Sequence, residues 1–297
     1  MANFHVYVGQ DGIEALPVVR KIGVRDIREA LRLGAEDFWA MPSHLAFLGL
    51  IYPLCGLVLA YVTSQQNALQ LVFPLASGFA LLGPIAAVGL YEMSRRRELG
   101  LDTSWKYAFN VARSPSIPAI GALGLLLLAI FLAWIAVAQL LYVKLFGSAP
   151  PASYPDFLGE VVSTQRGWTM IVAGCLIGFG FAVVSLSISV VSFPLLLDRD
   201  IGAAAAVATS VKLVWENPAA MALWGFIVAA GLAIGSLPLF IGLAVVVPIL
   251  GHATWRLYRI AVVRDPAHEH PTEWSPLGTS PEDRVAPHSF LFPWPKG

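Results

Sequence analysis

The stretch IPAIGALGLLLLAIFLAWIAVAQLLY occupies residues 117–142 and contains no charged residue. A helix needs about 20 consecutive apolar residues to cross the roughly 30 Å hydrocarbon core of a bilayer, so this stretch can span a membrane even when tilted. The whole chain is similarly apolar, because 57% of its 297 residues are apolar and only 13% are charged. Soluble domains carry about 25% charged residues. We therefore expect lipid to surround most of the chain.

Six segments are long and apolar enough to span a bilayer. We predict transmembrane helices at residues 44–62, 69–91, 117–142, 168–196, 219–235 and 237–257. The last two are separated because a single helix over both would be about 58 Å long, nearly twice the hydrocarbon thickness. The predicted organisation is a tail at 1–19, a six-span domain at 20–263 and a proline-rich tail at 264–297.

Positive charges are distributed unevenly about these spans. Only Lys144 and Arg166 fall on one side, and the other seventeen of the nineteen Lys and Arg residues fall on the opposite side. Basic residues flank spans mainly on the cytoplasmic side. We therefore expect both termini to lie in the cytoplasm.

A short phrase recurs three times: Arg, a charged residue, Ile or Leu, Gly, and an aliphatic residue. Each copy precedes an amphipathic stretch, a proline and an apolar run; the copies are at 20–24, 97–101 and 199–203, and the prolines are Pro42, Pro115 and Pro218. A repeat of this size indicates a repeated architecture. We predict an all-α membrane protein of three hairpins, each preceded by a short interfacial helix with its apolar face toward lipid. The alternative is that Gly and Pro mark membrane borders in any case, and that Arg follows the bias in positive charge.

Three stretches of the sequence resemble a known family, and they extend over residues 21–60, 73–109 and 111–134. They read KIGVRDIREALRLGAEDFWAMPSHLAFLGLIYPLCGLVLA, FPLASGFALLGPIAAVGLYEMSRRRELGLDTSWKYAF and VARSPSIPAIGALGLLLLAIFLAW. The family is DUF2189, a group of bacterial integral membrane proteins, and the likeness extends over roughly 19–263. The resemblance implies a multi-pass protein of the bacterial inner membrane. It implies no catalytic residue, because the family has no established activity.

Ionisable residues inside membrane spans are rare and are the usual indicators of function. His44 opens the first predicted span, and His252 lies near the inner end of the last one. Together they are weak candidates for a haem or metal site between facing helices. A histidine bonded to a backbone carbonyl or a lipid headgroup explains each one more simply. The run at 268–270, His-Glu-His, does not have the spacing of a helical zinc site. We therefore predict no bound cofactor and no metal.

The sequence lacks the motifs of common enzymes. It contains no Walker motif, no G-x-S-x-G and no H-E-x-x-H. The basic residues flank the spans and do not form a separate domain, so nucleic acid is not an expected partner. We predict that the protein is not an enzyme and has no catalytic residues.

Two features suggest contacts with other proteins. Small residues four apart let transmembrane helices approach closely, and such pairs occur at Gly174 with Gly178 and at Gly231 with Gly235. These glycines could serve packing within the bundle or dock a partner subunit.

The end of the C-terminal tail carries large apolar side chains among prolines, namely Phe290, Phe292 and Trp294. Such side chains are costly to leave in water. We expect them to contact a partner or the cytoplasmic face of the chain itself.

Two functions follow from these features. The first is an accessory subunit, assembly factor or scaffold of a membrane protein complex, with respiratory and photosynthetic complexes as candidate hosts. Its partners would be the lipid bilayer and other membrane-protein subunits. The alternative is a transporter or channel for a small or apolar solute, which would need a polar cavity and broken helices.

Overall fold

The structure is a computed structural model, and it describes residues 16–41, 61, 69–151, 153–237, 240–266 and 269–270. Within these ranges the regular secondary structure is helical. Two isolated β-bridges pair Val19 with Val262 and Arg199 with Glu269. Three 3-10 helices are present at Leu69–Leu71, Ala80–Leu82 and Trp105–Arg113. The α-helices are α1 Val24–Ala40, α2 Val72–Phe79, α3 Gly83–Ala86, α4 Val88–Glu98, α5 Ile117–Phe146, α6 Tyr154–Ser163, α7 Gln165–Ser189, α8 Ser192–Asp198, α9 Gly202–Glu216, α10 Pro218–Ser236 and α11 Leu243–Ala261.

Four helical segments of the described chain are long and apolar enough to cross a membrane. They are Val72–Glu98, Ile117–Phe146, Gln165–Asp198 and Pro218–Ser236. They correspond to the predicted spans at 69–91, 117–142, 168–196 and 219–235. Apart from Tyr61, the predicted span at 44–62 lies outside the described residues, so the total of six remains a prediction.

The last predicted span, 237–257, overlaps α11, Leu243–Ala261, which is helical as expected from residue 243 onward but is not among these four segments. Its last turns carry Arg256 and Arg259, which lower its hydropathy. The same turns are buried within the protein, and Trp255 and Leu257 are fully covered. This part of α11 therefore packs against protein instead of lipid.

The segment Val72–Glu98 is a broken helix. A 3-10 turn at Ala80–Leu82 separates α2 from α3, and Pro84 follows in the first turn of α3. Proline has no N–H, so the regular ladder of hydrogen bonds cannot continue through this point. Two carbonyls, one before the break and one within it, accept hydrogen bonds from neighbouring helices: Trp134 Nε1 donates to Pro74 O at 2.9 Å, and Ser185 Oγ donates to Leu81 O at 3.4 Å. Such bonds satisfy backbone groups that lipid cannot.

Helix α1 differs from the lipid-facing helix that the sequence predicts. Its apolar stripe packs against α11, and Ile27, Ala30 and Phe38 are buried there. At Gly34 a Cβ would lie 2.5 Å from the backbone nitrogen of Ala253, which is closer than any real contact. Glycine therefore allows the two helices to touch, and the stripe contacts protein instead of lipid.

The three copies of the recurring phrase are not equivalent in structure. Gly100 and Gly202 have positive φ values of 70° and 75°, a conformation that glycine adopts readily and that lets the chain turn after the preceding helix. Gly23 instead has φ −132°, an extended conformation. The following stretches also differ, because the second is a 3-10 helix whereas the first and third are α-helices. The threefold repeat is therefore not confirmed.

Pro115 and Pro218 stand differently relative to the helices that follow them. Helix α10 begins at Pro218 with Asn217 as its N-cap residue. Helix α5 begins at Ile117, after Ser116, and not at Pro115. The difference arises because Ser114 and Ser116 form a short turn, in which Ser116 N donates to Ser114 Oγ at 3.2 Å.

Candidate functional site

Most of the buried charged side chains gather where four helices end. The C-terminal parts of α1, α4, α8 and α11 pack against one another there, and we call this region the charged end. Helix α11 is central to it, since it contacts each of the other three. Within the described residues, buried charged side chains are concentrated at the charged end.

The carboxylate of Asp37, on α1, is completely buried and accepts four hydrogen bonds. Arg256 donates from Nε to Oδ2 at 2.8 Å and from Nη2 to Oδ1 at 2.7 Å. Arg97 Nη1 donates to Oδ1, and Ser94 Oγ donates to Oδ2 at 2.8 Å. We call these residues, together with His252, the Asp37 cluster. It joins α1, α4 and α11 through one negative charge.

His252, the predicted ligand candidate, lies in this cluster. It is fully buried, and its Nδ1 lies 2.8 Å from Ser94 Oγ. Because the hydroxyl proton of Ser94 is directed to Asp37, the Nδ1 position of His252 must carry the proton and donate to Ser94. This order is the reverse of a catalytic triad, in which the histidine removes the serine proton. Ser94 is therefore not arranged as an activated nucleophile.

The other predicted ligand candidate, His44, lies outside the described residues, so the proposed pairing of the two histidines remains a prediction. Within the described ranges, no group of three or more His, Cys, Asp and Glu side chains could hold a metal ion. His268 of the His-Glu-His run also lies outside these ranges.

A second group, the Asp198 cluster, lies beside the first and contains Asp198, Tyr258, Arg259, Glu98 and Glu269. Tyr258 OH donates to Asp198 Oδ2 at 2.5 Å, and Arg259 Nη1 donates to the same oxygen at 3.0 Å. Arg259 also pairs with Glu98 at 2.7 Å and with Glu269 at 3.4 Å. One guanidinium therefore connects α4, α8, α11 and the segment that follows α11.

Glu92 forms a third buried pair on α4. A glutamate next to Arg95, Arg96 and Arg97 in the sequence would be expected to form a solvated ion pair, but Glu92 is fully buried. Its partners are Arg95, at 2.9 Å, and Arg96, at 3.9 Å. Arg96 also lies over the ring of Tyr107, at 3.9 Å from its centroid. The pair therefore attaches the 3-10 helix Trp105–Arg113 to α4.

The first residues of the C-terminal tail cross the charged end. His270 N donates to Asp198 O at 2.7 Å, and its Nε2 lies 2.9 Å from Ser116 Oγ. Arg264 donates to Glu269 at 2.8 Å, and this hydrogen bond lowers the pKa of the Glu269 carboxyl. Burial lowers the pKa of His270. The beginning of the tail thus docks on the chain's own helix ends, whereas Phe290, Phe292 and Trp294 lie outside the described residues.

The segment before α1 is held by Asn217, between α9 and α10. Ile22 N donates to Asn217 Oδ1 at 2.8 Å, and Asn217 Nδ2 donates to Arg20 O at 3.1 Å. The same segment is bonded on its other side, since Val263 N donates to Val18 O at 2.9 Å. The two ends of the described chain are therefore tied together.

The first of the two glycine pairs lies inside the bundle. A Cβ at Gly174 would lie 3.7 Å from Leu141, and one at Gly178 would lie 3.0 Å from Trp134, so this pair faces α5.

The second pair is similar. A Cβ at Gly231 would lie 3.2 Å from Val246, and one at Gly235 would lie 2.9 Å from Leu243, so both face α11. A role of either pair in partner contact remains a prediction.

Sequence reasoning identified His252 but not Asp37, Ser94 or Arg256, which surround it. One signal was available, because Ile27, Ala30, Gly34 and Asp37 are spaced by three, four and three residues. This spacing puts Asp37 within the apolar stripe of α1. An acidic residue in that position needs a buried partner.

The fold and the charged end together define an integral membrane protein whose helices are joined at one end by buried ion pairs. Residues 72–198 match the family model described as "Predicted integral membrane protein (DUF2189)". Over this segment, from α2 to α8, the chain is similar to the DUF2189 family, and the resemblance inferred from the sequence is confirmed for these residues. The likeness predicted for the flanking residues lies outside the match. No curated protein and no solved structure matches the chain.

Proposed function

We propose that this protein is a non-enzymatic accessory subunit, assembly factor or scaffold of a membrane protein complex. We place it in a bacterial inner membrane with both termini in the cytoplasm, and we keep respiratory and photosynthetic complexes as candidate hosts. The proposal rests mainly on the surface of one span, Gln165–Asp198.

The most apolar part of this span is mostly uncovered by the rest of the chain, whereas its last turns are buried. Only 6% of its most apolar window is buried, against 22–29% for the other three spans. Large exposed side chains recur along it at offsets of four, four, three and four residues, so they share one face of α7. They are Trp168, Val172, Leu176, Phe179 and Val183. We call this set the α7 face.

The α7 face has the shape that favours another helix. Gly180 lies on it, one residue after Phe179, and a Cβ there would have no atom within 4 Å. Helices in lipid associate through close packing, and a small residue between large ones lets a second backbone approach. Contact with lipid alone does not require such a gap at Gly180, which we call the notch. This notch supports a protein partner.

The arrangement of the charged end supports a structural role. Asp37 is bonded by two arginines and a serine, and Asp198 by a tyrosine and an arginine. These groups hold helices together instead of facing an open cleft. In the order Asp37, Ser94, His252 the serine hydroxyl donates its hydrogen bond to the carboxylate and not to the histidine, which is why we assign no catalytic role to Ser94.

The test is purification from the native host in mild detergent, followed by mass spectrometry of what co-purifies. We expect a stoichiometric membrane-protein partner with the wild type and its loss with Gly180→Leu, which fills the notch. Gly121→Leu is the matched control, because a Cβ at Gly121 on α5 also has no atom within 4 Å. A wild-type protein that purifies alone and monodisperse would refute the proposal, and equal effects of both variants would refute the role of the α7 face.

A transporter or channel is the alternative, and the broken helix Val72–Glu98 favours it, because broken helices commonly line transport sites. The carbonyl of Leu81 within this break and that of Pro74 before it already accept hydrogen bonds from Ser185 and Trp134, which leaves them poorly placed to bind a solute. Flux measurements on proteoliposomes would distinguish the two functions. Solute-dependent flux by the wild-type protein would favour the alternative.

A further inference from the structure

An apolar groove of about 830 Å³ lies between α5 and α9. Leu123 and Leu126 form one wall, and Ala204, Val207 and Ala208 form most of the other. Pockets that hold small ligands have volumes of about 300–1,000 Å³ and mostly apolar linings. The groove therefore has the size and lining of a ligand site.

The position of α9 sets the depth of the groove in the bilayer. Helix α9 connects the end of one span, Gln165–Asp198, to the start of the next, Pro218–Ser236. These two ends must lie at the same face of the membrane, so α9 lies at that face as well. Leu126 belongs to the first third of α5, and α5 starts at this face. The groove therefore runs from the headgroup region into the outer part of the hydrocarbon core.

The mouth of the groove carries an excess of positive charge. Lys212 Nζ lies 4.0 Å from Glu216, and both side chains are partly exposed. Lys21 Nζ donates to the main-chain oxygen of Glu216 at 2.5 Å. Two ammonium groups thus lie near Glu216, one at its carboxylate and one at its main-chain oxygen. Exposed ion pairs of this length contribute little to stability, so Lys212 is free to turn toward a phosphate.

Trp215 marks the headgroup depth at the same mouth. It lines the groove, and its side chain is 85% exposed. Tryptophan is enriched where apolar lipid meets water, since its ring is apolar and its N–H is polar. The apolar walls suit the acyl region of an anionic phospholipid. Trp215 suits the boundary between its acyl and headgroup regions, and the lysines suit its phosphate.

We infer that the groove between α5 and α9 binds an anionic phospholipid from the surrounding bilayer. Its acyl chain lies between Leu126 and Val207, and its headgroup phosphate lies beside Lys212 and Lys21. A zwitterionic lipid would fill the apolar walls equally well but would gain less from the two lysines. The lysines therefore set the preference for negative charge.

The test is native mass spectrometry of the full-length protein in micelles that contain equal amounts of phosphatidylglycerol and phosphatidylcholine. We expect the wild type to retain phosphatidylglycerol in preference. Lys212→Gln should reduce that preference about fivefold, which is the contribution of one lysine at a lipid surface. Lys144→Gln is the matched control, because Lys144 is an exposed lysine at the other end of α5.

The groove itself is tested by filling it. Ala208→Phe and Ala204→Phe should both abolish retention, and Ala204 is exposed, so that variant leaves the packing intact. Ala182→Phe, at an exposed position on α7, should retain the lipid. Equal retention of the two lipids by the wild type would overturn the inference. So would unchanged retention in the two groove variants, or an equal loss in Lys144→Gln, which would indicate annular binding only.

Discussion

Replacing Asp37 with asparagine tests whether one buried charge holds α1 against the rest of the protein. The carboxylate accepts four hydrogen bonds, two from Arg256, one from Arg97 and one from Ser94. Asparagine has the same shape but offers only one acceptor oxygen and no charge. The bonds of Ser94 and of Arg256 Nε to Oδ2 are therefore lost in Asp37→Asn, and both guanidinium groups lose their shared counter-charge.

The expected decrease in the free energy of unfolding of Asp37→Asn depends on how well each arginine can be solvated or paired elsewhere. The Arg97 side chain is 36% exposed and can be solvated, and Arg256, which is 17% exposed, keeps Glu98 at 3.9 Å. Breaking a buried pair by removing one partner costs about 3–5 kcal/mol, and these alternatives favour a value of about 3 kcal/mol. Adding Arg256→Gln to Asp37→Asn should cost less than the sum of the two single changes, because both remove the same pair.

The measurement is the free energy of unfolding in mixed micelles with increasing dodecyl sulfate, followed by tryptophan fluorescence. Glu36→Gln is the matched control on the same helix. Its partner is Arg32, both side chains are about half exposed, and such surface pairs contribute about 0–1 kcal/mol. A cost below about 1 kcal/mol for Asp37→Asn, equal to that of the control, would refute the reasoning.

Three further predictions follow from the same contacts. Gly34→Ala should destabilise the protein by about 1–3 kcal/mol through overpacking against α11, whereas Gly121→Ala, with no atom near the added Cβ, should be neutral or stabilising by the same unfolding measurement. Asn217→Ala should expose the segment before α1 to limited proteolysis, because two of its backbone hydrogen bonds are lost. Acid should release the start of the tail to proteolysis: the pKa values of Glu269 and His270 are both lowered in the folded protein, so both contribute stability above their unfolded values of about 4.3 and 6.5 and lose it as the pH falls below them. His270→Gln should flatten the upper part of this pH profile, and unchanged proteolysis between pH 7 and 4 would contradict this account.

The spans could be predicted because they depend on local sequence. A run such as residues 117–142 must enter lipid whatever surrounds it, and α5 extends over that whole run. The turns at Gly100 and Gly202 were also predictable, since a chain that leaves a helix and turns commonly needs a residue with positive φ. Gly23 stands in the same phrase but has an extended backbone, because it is the N-cap residue of α1 and does not follow a helix. The segment just before it pairs with residues at and after the end of α11, which are remote in sequence.

The charged end could be predicted only in part, because its members come from helices that are far apart in the chain. His252 was recognisable as an ionisable residue in an apolar segment, but its contact Ser94 is 158 positions away. Arg256 is 219 positions from Asp37. Pairing at such distances depends on which helix faces touch, and that is decided by the packing of α1 on α11. The apolar spacing of α1 predicted a buried face but not whether lipid or protein covers it.

Gly34 and Asp37 together explain why α1 packs on α11 in one position. Gly34 fits only where the backbone of Ala253 passes, since a Cβ there would overlap it. Asp37 lies one turn further along, where Arg256 can donate two hydrogen bonds to it. If α1 slid by one turn, the glycine would leave a gap and the carboxylate would face apolar surface without a partner, which is costly. Buried ion pairs often add little net stability, and their best-supported use is to fix one register. The Asp37 cluster is therefore better understood as a device that selects the position of α1 than as a source of stability.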